Sequence, residues 1–172
     1  KINDLNLSGS ILLPCEGEGR NAVYCALKGL KVQSFDLSSE GKSKAIKLAQ
    51  DNNVEINYSV GEFETHHLGT NAFDVVSLIY AHFPVNVREK YHHKLIECLK
   101  PSGVMIIEGF SKSNIDMIKS NPNVGGPKNI EMLYSIDMIQ NDFAELEIIE
   151  LTEEIVKLNE GVYHNGEGAV VR

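Results

Sequence analysis

The chain has 172 residues, 42% of them hydrophobic, which is enough apolar material for one buried core and gives no basis for disorder. Lys and Arg number 16 against 24 Asp and Glu, a formal charge of −8, so a nucleic-acid partner, which needs clustered cations, is disfavoured against a small molecule. No apolar run approaches the roughly 20 residues that span a bilayer, and residues 1–7 lack the features of a signal peptide, so a cytoplasmic protein with no membrane partner is expected.

In chain order, residues 10–14 form a short apolar run that ends in a glycine-bearing turn. Residues 20–28 read as a helix closed by Gly29, and 31–35 as a second strand ending at Asp36. Ser38 or Ser39 caps the next helix, which runs to about Asn52 on an apolar face of Ala45, Ile46, Leu48 and Ala49. A third strand is expected over 54–58. The near-continuous apolar run 73–79 suits a fourth strand buried on both faces. Pro84 opens a helix over about 85–100, broken by Pro101, Ser102 and Gly103, and 104–108 forms a fifth strand. Residues 111–128 are polar and rich in Asn, Gly and Pro, which predicts a mobile loop with at most one short helix. A helix over 135–142 follows. Two strands, 144–158 and 161–172, close the chain as a hairpin turning at Asn159, Glu160 and Gly161.

Alternating strands and helices imply a parallel sheet, because each right-handed crossover needs a helix, and the final hairpin must add antiparallel strands at one edge. The expected fold class is therefore α/β, a Rossmann-like doubly wound and mostly parallel sheet with a C-terminal antiparallel hairpin, in one domain over 1–172. No apolar stripe marks a subunit interface.

Cys15, Cys25 and Cys98 are odd in number and form no CxxC pair, which suits reduced thiols rather than a disulfide framework or a zinc site. The pairs His66, His67 and His92, His93 are poor chelates, because adjacent side chains point apart; no metal is expected.

The segment Pro14-Cys15-Glu16-Gly17-Glu18-Gly19-Arg20-Asn21 carries the chemistry. Two glycines one residue apart allow a sharp turn and close approach to a ligand, and the helix that follows offers unpaired N–H groups to an anion. Asp36 lies on the same carboxyl edge, where its carboxylate can accept both hydroxyls of a ribose or simply cap the next helix. The pattern also matches the dinucleotide form GxGxx[GA], but the chain has no room for a dehydrogenase's substrate domain.

Glu16 to Tyr24 resembles the first motif of class I S-adenosylmethionine-dependent methyltransferases, closest to the branch grouped with tellurite-resistance methyltransferases. Phe35-Asp36-Leu37-Ser38, Phe73-Asp74-Val75-Val76, Leu99-Lys100-Pro101-Ser102-Gly103, Gly125-Gly126-Pro127 and Met132-Leu133-Tyr134-Ser135 extend the resemblance through most of the chain, as does the ending from Glu160. It implies S-adenosyl-L-methionine as cofactor, held along the turn by Cys15, Glu16, Gly17, Glu18, Gly19 and Arg20. Gly17 and Gly19 would lie under its methionine part, and Asp36, followed by Leu37, would hold the ribose. Glu62 and Phe63 occupy the stretch that contacts adenine, and Ile79 and Tyr80 end strand four facing the cofactor.

The chain departs from the family at Leu13, where many members carry an acidic residue that helps place the methionine amine, and at Cys15, which replaces a glycine. Glu16 is expected to supply the missing carboxylate. The family also carries a helix before the first strand that covers the active site, whereas nine residues precede Ser10 here. On the acceptor side the candidates are Tyr80, His82 as a base near neutral pH, Phe83, and Arg88 as a holder of an anionic acceptor, with Glu160, Tyr163 and His164 behind them. The expected reaction is methyl transfer to a small-molecule acceptor such as a thiol or chalcogen oxyanion. The alternatives are a nicotinamide-dependent oxidoreductase and a non-catalytic S-adenosylmethionine-binding protein.

Overall fold

The computed structural model describes residues 7–159 and 164–172. Its elements in chain order are β1 (Ser10–Pro14), α1 (Arg20–Leu27), β2 (Lys31–Asp36), α2 (Ser39–Asp51), β3 (Asn57–Val60), β4 (Phe73–Ile79) and α3 (Val85–Cys98), then β5 (Leu99–Phe110), α4 (Asn114–Ser120), α5 (Ile136–Asp142), β6 (Glu153–Asn159) and β7 (Asn165–Val171). Short 3₁₀ turns cover Phe63–Thr65, Pro122–Val124 and Ile130–Met132. The seven strands lie in the order β3-β2-β1-β4-β5-β7-β6. β1 pairs in parallel with β2 and β4, and β2 with β3, while β7 runs antiparallel to both β5 and β6. This is the expected α/β sheet with an antiparallel edge. No helix among the described residues is long and apolar enough to cross a membrane.

Two compact units make up the chain, and β5 passes from one into the other. The first, residues 1–81 and 97–106, holds the parallel strands. Ile11, Leu13, Ala22, Cys25, Leu30, Val32 and Val75 form an apolar cluster in it, with Leu7, Ala26, Ile56 and Ile106 packed alongside. Each fully buried aliphatic side chain of this kind contributes about 1.5–3 kcal/mol. Leu13 is 2% exposed within that cluster, so a carboxylate in its place would be stranded among hydrocarbon. At the start of β4, Asp74 Oδ2 accepts hydrogen bonds from the Ser10 N–H (2.7 Å), the Ser10 hydroxyl (2.9 Å) and the Lys100 ammonium (2.8 Å). These donors hold its carboxyl far below the usual range, Lys100 first among them.

The second unit, residues 82–96 and 107–172, departs more from expectation. Residues 111–128 hold α4, a short helix of the kind expected there, and a 3₁₀ turn that the composition did not indicate, both tied down by Asn114. That side chain is fully buried; its Nδ2 donates to the Gly125 carbonyl (3.1 Å) and its Oδ1 accepts from the Ala169 N–H (3.1 Å). The Ser135 hydroxyl caps α5 by accepting from the Met138 N–H at 3.3 Å. Residues 144–152 form no strand, so β6 begins at Glu153 rather than 144. β3 and β5 are also displaced from the expected 54–58 and 104–108, β5 beginning as α3 ends. Of the expected hairpin turn, Glu160 and Gly161 lie outside the described residues, as does Tyr163.

Candidate functional site

The parallel ladder of the first unit sets the geometry of the glycine turn. Pro14 at the end of β1 pairs with Phe35, and the ladder runs one step further, with the Glu16 N–H donating to the Phe35 carbonyl at 3.2 Å. Gly17 therefore arrives beside Asp36, the last residue of β2. Asp36 Oδ2 accepts from the Gly17 N–H (3.1 Å) and Oδ1 from the Ser38 N–H (2.9 Å). Both readings of Asp36 have a physical basis: it steadies the chain entering α2, and each oxygen keeps a lone pair for another donor. The cap itself is Ser38, whose hydroxyl accepts from the Gly41 N–H at 2.9 Å.

The two glycines are not equivalent. Both have left-handed backbone, with φ of 60° at Gly17 and 83° at Gly19. A Cβ at Gly19 would run into Ala45 of α2 and stand 2.7 Å from its Cα, so Gly19 is required for close packing of α1 against α2. A Cβ at Gly17 would meet nothing within 4 Å. Of the pair, Gly17 is the one that borders open space, and a cofactor could rest against it.

Glu16 turns toward the start of α1. Its Oε1 accepts from the Ala22 N–H (2.7 Å), with the Asn21 amide 3.5 Å from Oε2. Gly19, at the N-cap, has no side chain to perform this service, so the carboxylate of Glu16 satisfies the helix from the turn. The positive end of α1 is thus already shared with a carboxyl group of the chain itself. Glu16 is only 8% exposed, and burial pushes its carboxyl up to about 7 against the opposing pull of these hydrogen bonds.

Around the edge, Leu37 is exposed beside Asp36, as is Val60, which pairs with Asp36 across the ladder. Glu62 is exposed next to them, whereas Phe63 is buried edge-on against Phe35, with ring centroids 5.7 Å apart. Cys15 is exposed with φ 56°, and Arg20 and Glu18 are exposed too, Glu18 pairing with Lys44 at 2.8 Å. Ile79 ends β4 half-buried, and Tyr80 follows with φ 53°, a left-handed backbone rare for an aromatic residue. Two residues not singled out in the sequence belong to this edge, Tyr58 and Gly41. The Tyr58 hydroxyl donates to the Gly17 carbonyl at 2.6 Å, and a Cβ at Gly41 would stand 2.7 Å from the same oxygen. A glycine within the first turn of a helix, which weakens that helix, was the available signal for Gly41. Tyr58 carried none.

In the second unit, the expectation of a base at His82 is overturned. The Phe110 N–H donates to His82 Nε2 at 3.1 Å, so Nε2 is the acceptor and Nδ1 carries the proton that reaches the Met132 carbonyl at 2.9 Å. The ring also lies against Tyr134 and Phe110. Burial holds its pKa down to about 4, so His82 stays neutral with both nitrogens occupied. Arg88 is ion-paired through one of its nitrogens. Its Nε donates to Asp142 Oδ2 at 3.0 Å, and the same oxygen accepts from His92 Nδ1 at 2.8 Å. Its charge is balanced inside the protein, which makes it a poor anchor for an anionic acceptor. His164 packs edge-on to Phe110.

Residues 11–103 match the family model for a methyltransferase domain. No curated protein matches the sequence significantly. Among solved structures, the chain is similar to a SAM-dependent methyltransferase from Methanosarcina mazei, with 15% identity and a TM-score of 0.71, covering 94% of this chain and 89% of that one. It is similar to TehB from Haemophilus influenzae, with 15% identity and a TM-score of 0.73 over 99% of this chain and 58% of that one. A third is a structure from echinomycin biosynthesis, where a disulfide bond is converted into a thioacetal group; identity is 19% and the TM-score 0.73, over 99% of this chain and 77% of that one. At these identities the likeness is one of fold.

Proposed function

From the premise that this chain belongs to the methyltransferase-domain family, we propose that its glycine turn and Asp36 seat the methyl donor and that its acceptor is a small, polarisable nucleophile. The enzyme is an S-adenosylmethionine-dependent methyltransferase, and the nicotinamide alternative falls with that assignment. When bound, the donor supplies a methyl group on a sulfonium that is already activated for in-line displacement. The chain's own work is then to bind, orient and exclude water, for which alignment alone is worth up to about 7–11 kcal/mol.

The observation that carries the binding reading is Gly17, backed by Asp36 and open where a Cβ would stand. In this reading the remaining lone pairs of Asp36 accept the ribose hydroxyls, the exposed apolar faces of Leu37 and Val60 flank the purine, and Glu62 accepts from its amino group. Phe63 supports that stretch from beneath by packing on Phe35. Glu16, next to the turn, is within the same neighbourhood for the donor's ammonium, and Tyr80 borders the cofactor from the end of β4.

The side chains already engaged narrow the choice of acceptor. His82 has no free nitrogen to remove a proton, and Arg88 is neutralised by Asp142. An acceptor that attacks without a base fits this inventory: a thiolate, or a chalcogen oxyanion or its reduced form, in keeping with the resemblance to tellurite-resistance methyltransferases. The net charge of −8 also favours a small molecule over nucleic acid. Incubation with methyl-labelled S-adenosylmethionine and a panel of thiols, selenium and tellurium oxyanions, and amines should label the first two classes. Labelling of amines alone would count against the acceptor reading, and no labelling of any class would favour a protein that binds the donor without turnover.

A further inference from the structure

We infer that Tyr58 is a positioning residue for the amino-acid tail of the donor, acting through the carbonyl of Gly17; this rests on the reading of that turn as the donor's seat. Glycine is the residue least able to fix its own backbone, and Gly17 sits in left-handed conformation with no side chain to hold it. Its orientation is imposed from outside. The N–H is held by Asp36 from β2, and the carbonyl accepts from the Tyr58 hydroxyl, donated from β3 at 2.6 Å. On another side the carbonyl oxygen meets Gly41 of α2, where even a methyl group would stand 2.7 Å away. Tyr58 is 4% exposed, and burial, reinforced by the nearby Asp36 and Glu16, raises its pKa above the ordinary phenol value, so the hydroxyl remains a donor at any working pH.

The consequence follows from the geometry of the peptide unit. The Gly17 carbonyl and the Glu18 N–H belong to one planar trans peptide, so they point in opposite directions. By drawing the carbonyl toward β3, Tyr58 aims the Glu18 N–H away from it, and that N–H has no protein acceptor among the described residues. It is a donor available to a carboxylate. Without the phenol, the peptide between Gly17 and Glu18 can rotate at little cost, because glycine tolerates the alternative torsions. Rotation would present the carbonyl oxygen, and with it a repulsive partial charge, to the ligand's carboxylate. Tyr58 therefore acts on the tail and leaves the nucleoside largely alone.

The test compares two ligands. S-adenosylhomocysteine carries the amino-acid tail; 5′-methylthioadenosine keeps the nucleoside and thioether and lacks it. In calorimetry on Tyr58→Phe, the Kd for S-adenosylhomocysteine is expected to rise about tenfold, equivalent to about 1.4 kcal/mol, while that for 5′-methylthioadenosine stays within about twofold. A purely structural tyrosine would lower the melting temperature without separating the two ligands. Unchanged affinity for S-adenosylhomocysteine, or equal losses for both ligands, overturns the assignment of Tyr58. Failure of the unmutated protein to bind S-adenosylhomocysteine removes the donor reading itself, which is a separate outcome. Should Tyr58→Phe not fold, as judged by circular dichroism, Gly41→Ala carries the same comparison, since its methyl group displaces the same carbonyl.

Discussion

Glu16 and Asp36 flank one turn yet meet different demands. Asp36 lies at a half-exposed strand end, whereas Glu16 is buried and satisfies the start of α1. Burial raises the Glu16 pKa to about 7 from an ordinary 4.5, so between these values the folded protein holds a proton that the unfolded chain has lost. Stability from this group is fully present below pH 4.5 and is lost as pH rises through 7, by at most about 3 kcal/mol. Urea unfolding should therefore show Glu16→Gln losing less stability than the parent between pH 5 and 7.5. If the carboxylate also faces the donor's ammonium, affinity for S-adenosylhomocysteine should rise across the same interval in the parent and stay flat in the variant. Flat profiles in both would detach Glu16 from the site. Residue chemistry was legible at Asp36 because a strand end fixes an edge. The direction taken by Glu16 was not, because it depends on the helix start that it satisfies.

Among the elements, α4 shows how one buried amide ties a polar segment to the sheet. Polar composition over 111–128 signals exposure, and most of those side chains are indeed partly exposed, but composition is silent about Asn114. Its two hydrogen bonds, to Gly125 and Ala169, link the segment to β7. Asn114→Ala leaves the buried Ala169 N–H without its partner, at about 1–3 kcal/mol, and frees a half-buried Gly125 carbonyl, so the melting temperature should fall and amide exchange should quicken at Ala169. Retention of the parental melting temperature would show that water replaces the amide at no cost. Where an element is set by local signals, its boundaries were legible: β1, β4 and α2 follow their apolar pattern and caps. β3 and β6 moved, because their limits are set by which partner strand the ladder reaches.

For the molecule as a whole, the fold and the family make a ligand test that involves no acceptor. A ligand that binds only the folded state at a hundred times its Kd adds about 2.7 kcal/mol of stability. S-adenosylhomocysteine at that excess should raise the melting temperature by several degrees, and NAD at the same concentration should leave it unchanged; the reverse order would contradict the donor reading. The strand and helix alternation, the glycine turn, Asp36 at the carboxyl edge and the acidic charge are all readable along the chain. These rest on periodicity, caps and neighbours close in the chain. Only in the folded chain do Gly17 and Gly19 do different work, His82 take one neutral tautomer, Arg88 pair with Asp142, and Tyr58 grip the turn. Each of these depends on partners 26 to 54 positions away, for Gly19 on Ala45, for His82 on Phe110 and Met132, for Arg88 on Asp142 and for Tyr58 on Gly17. Contacts at that separation leave no local pattern, because it is the packing of the folded chain that chooses them.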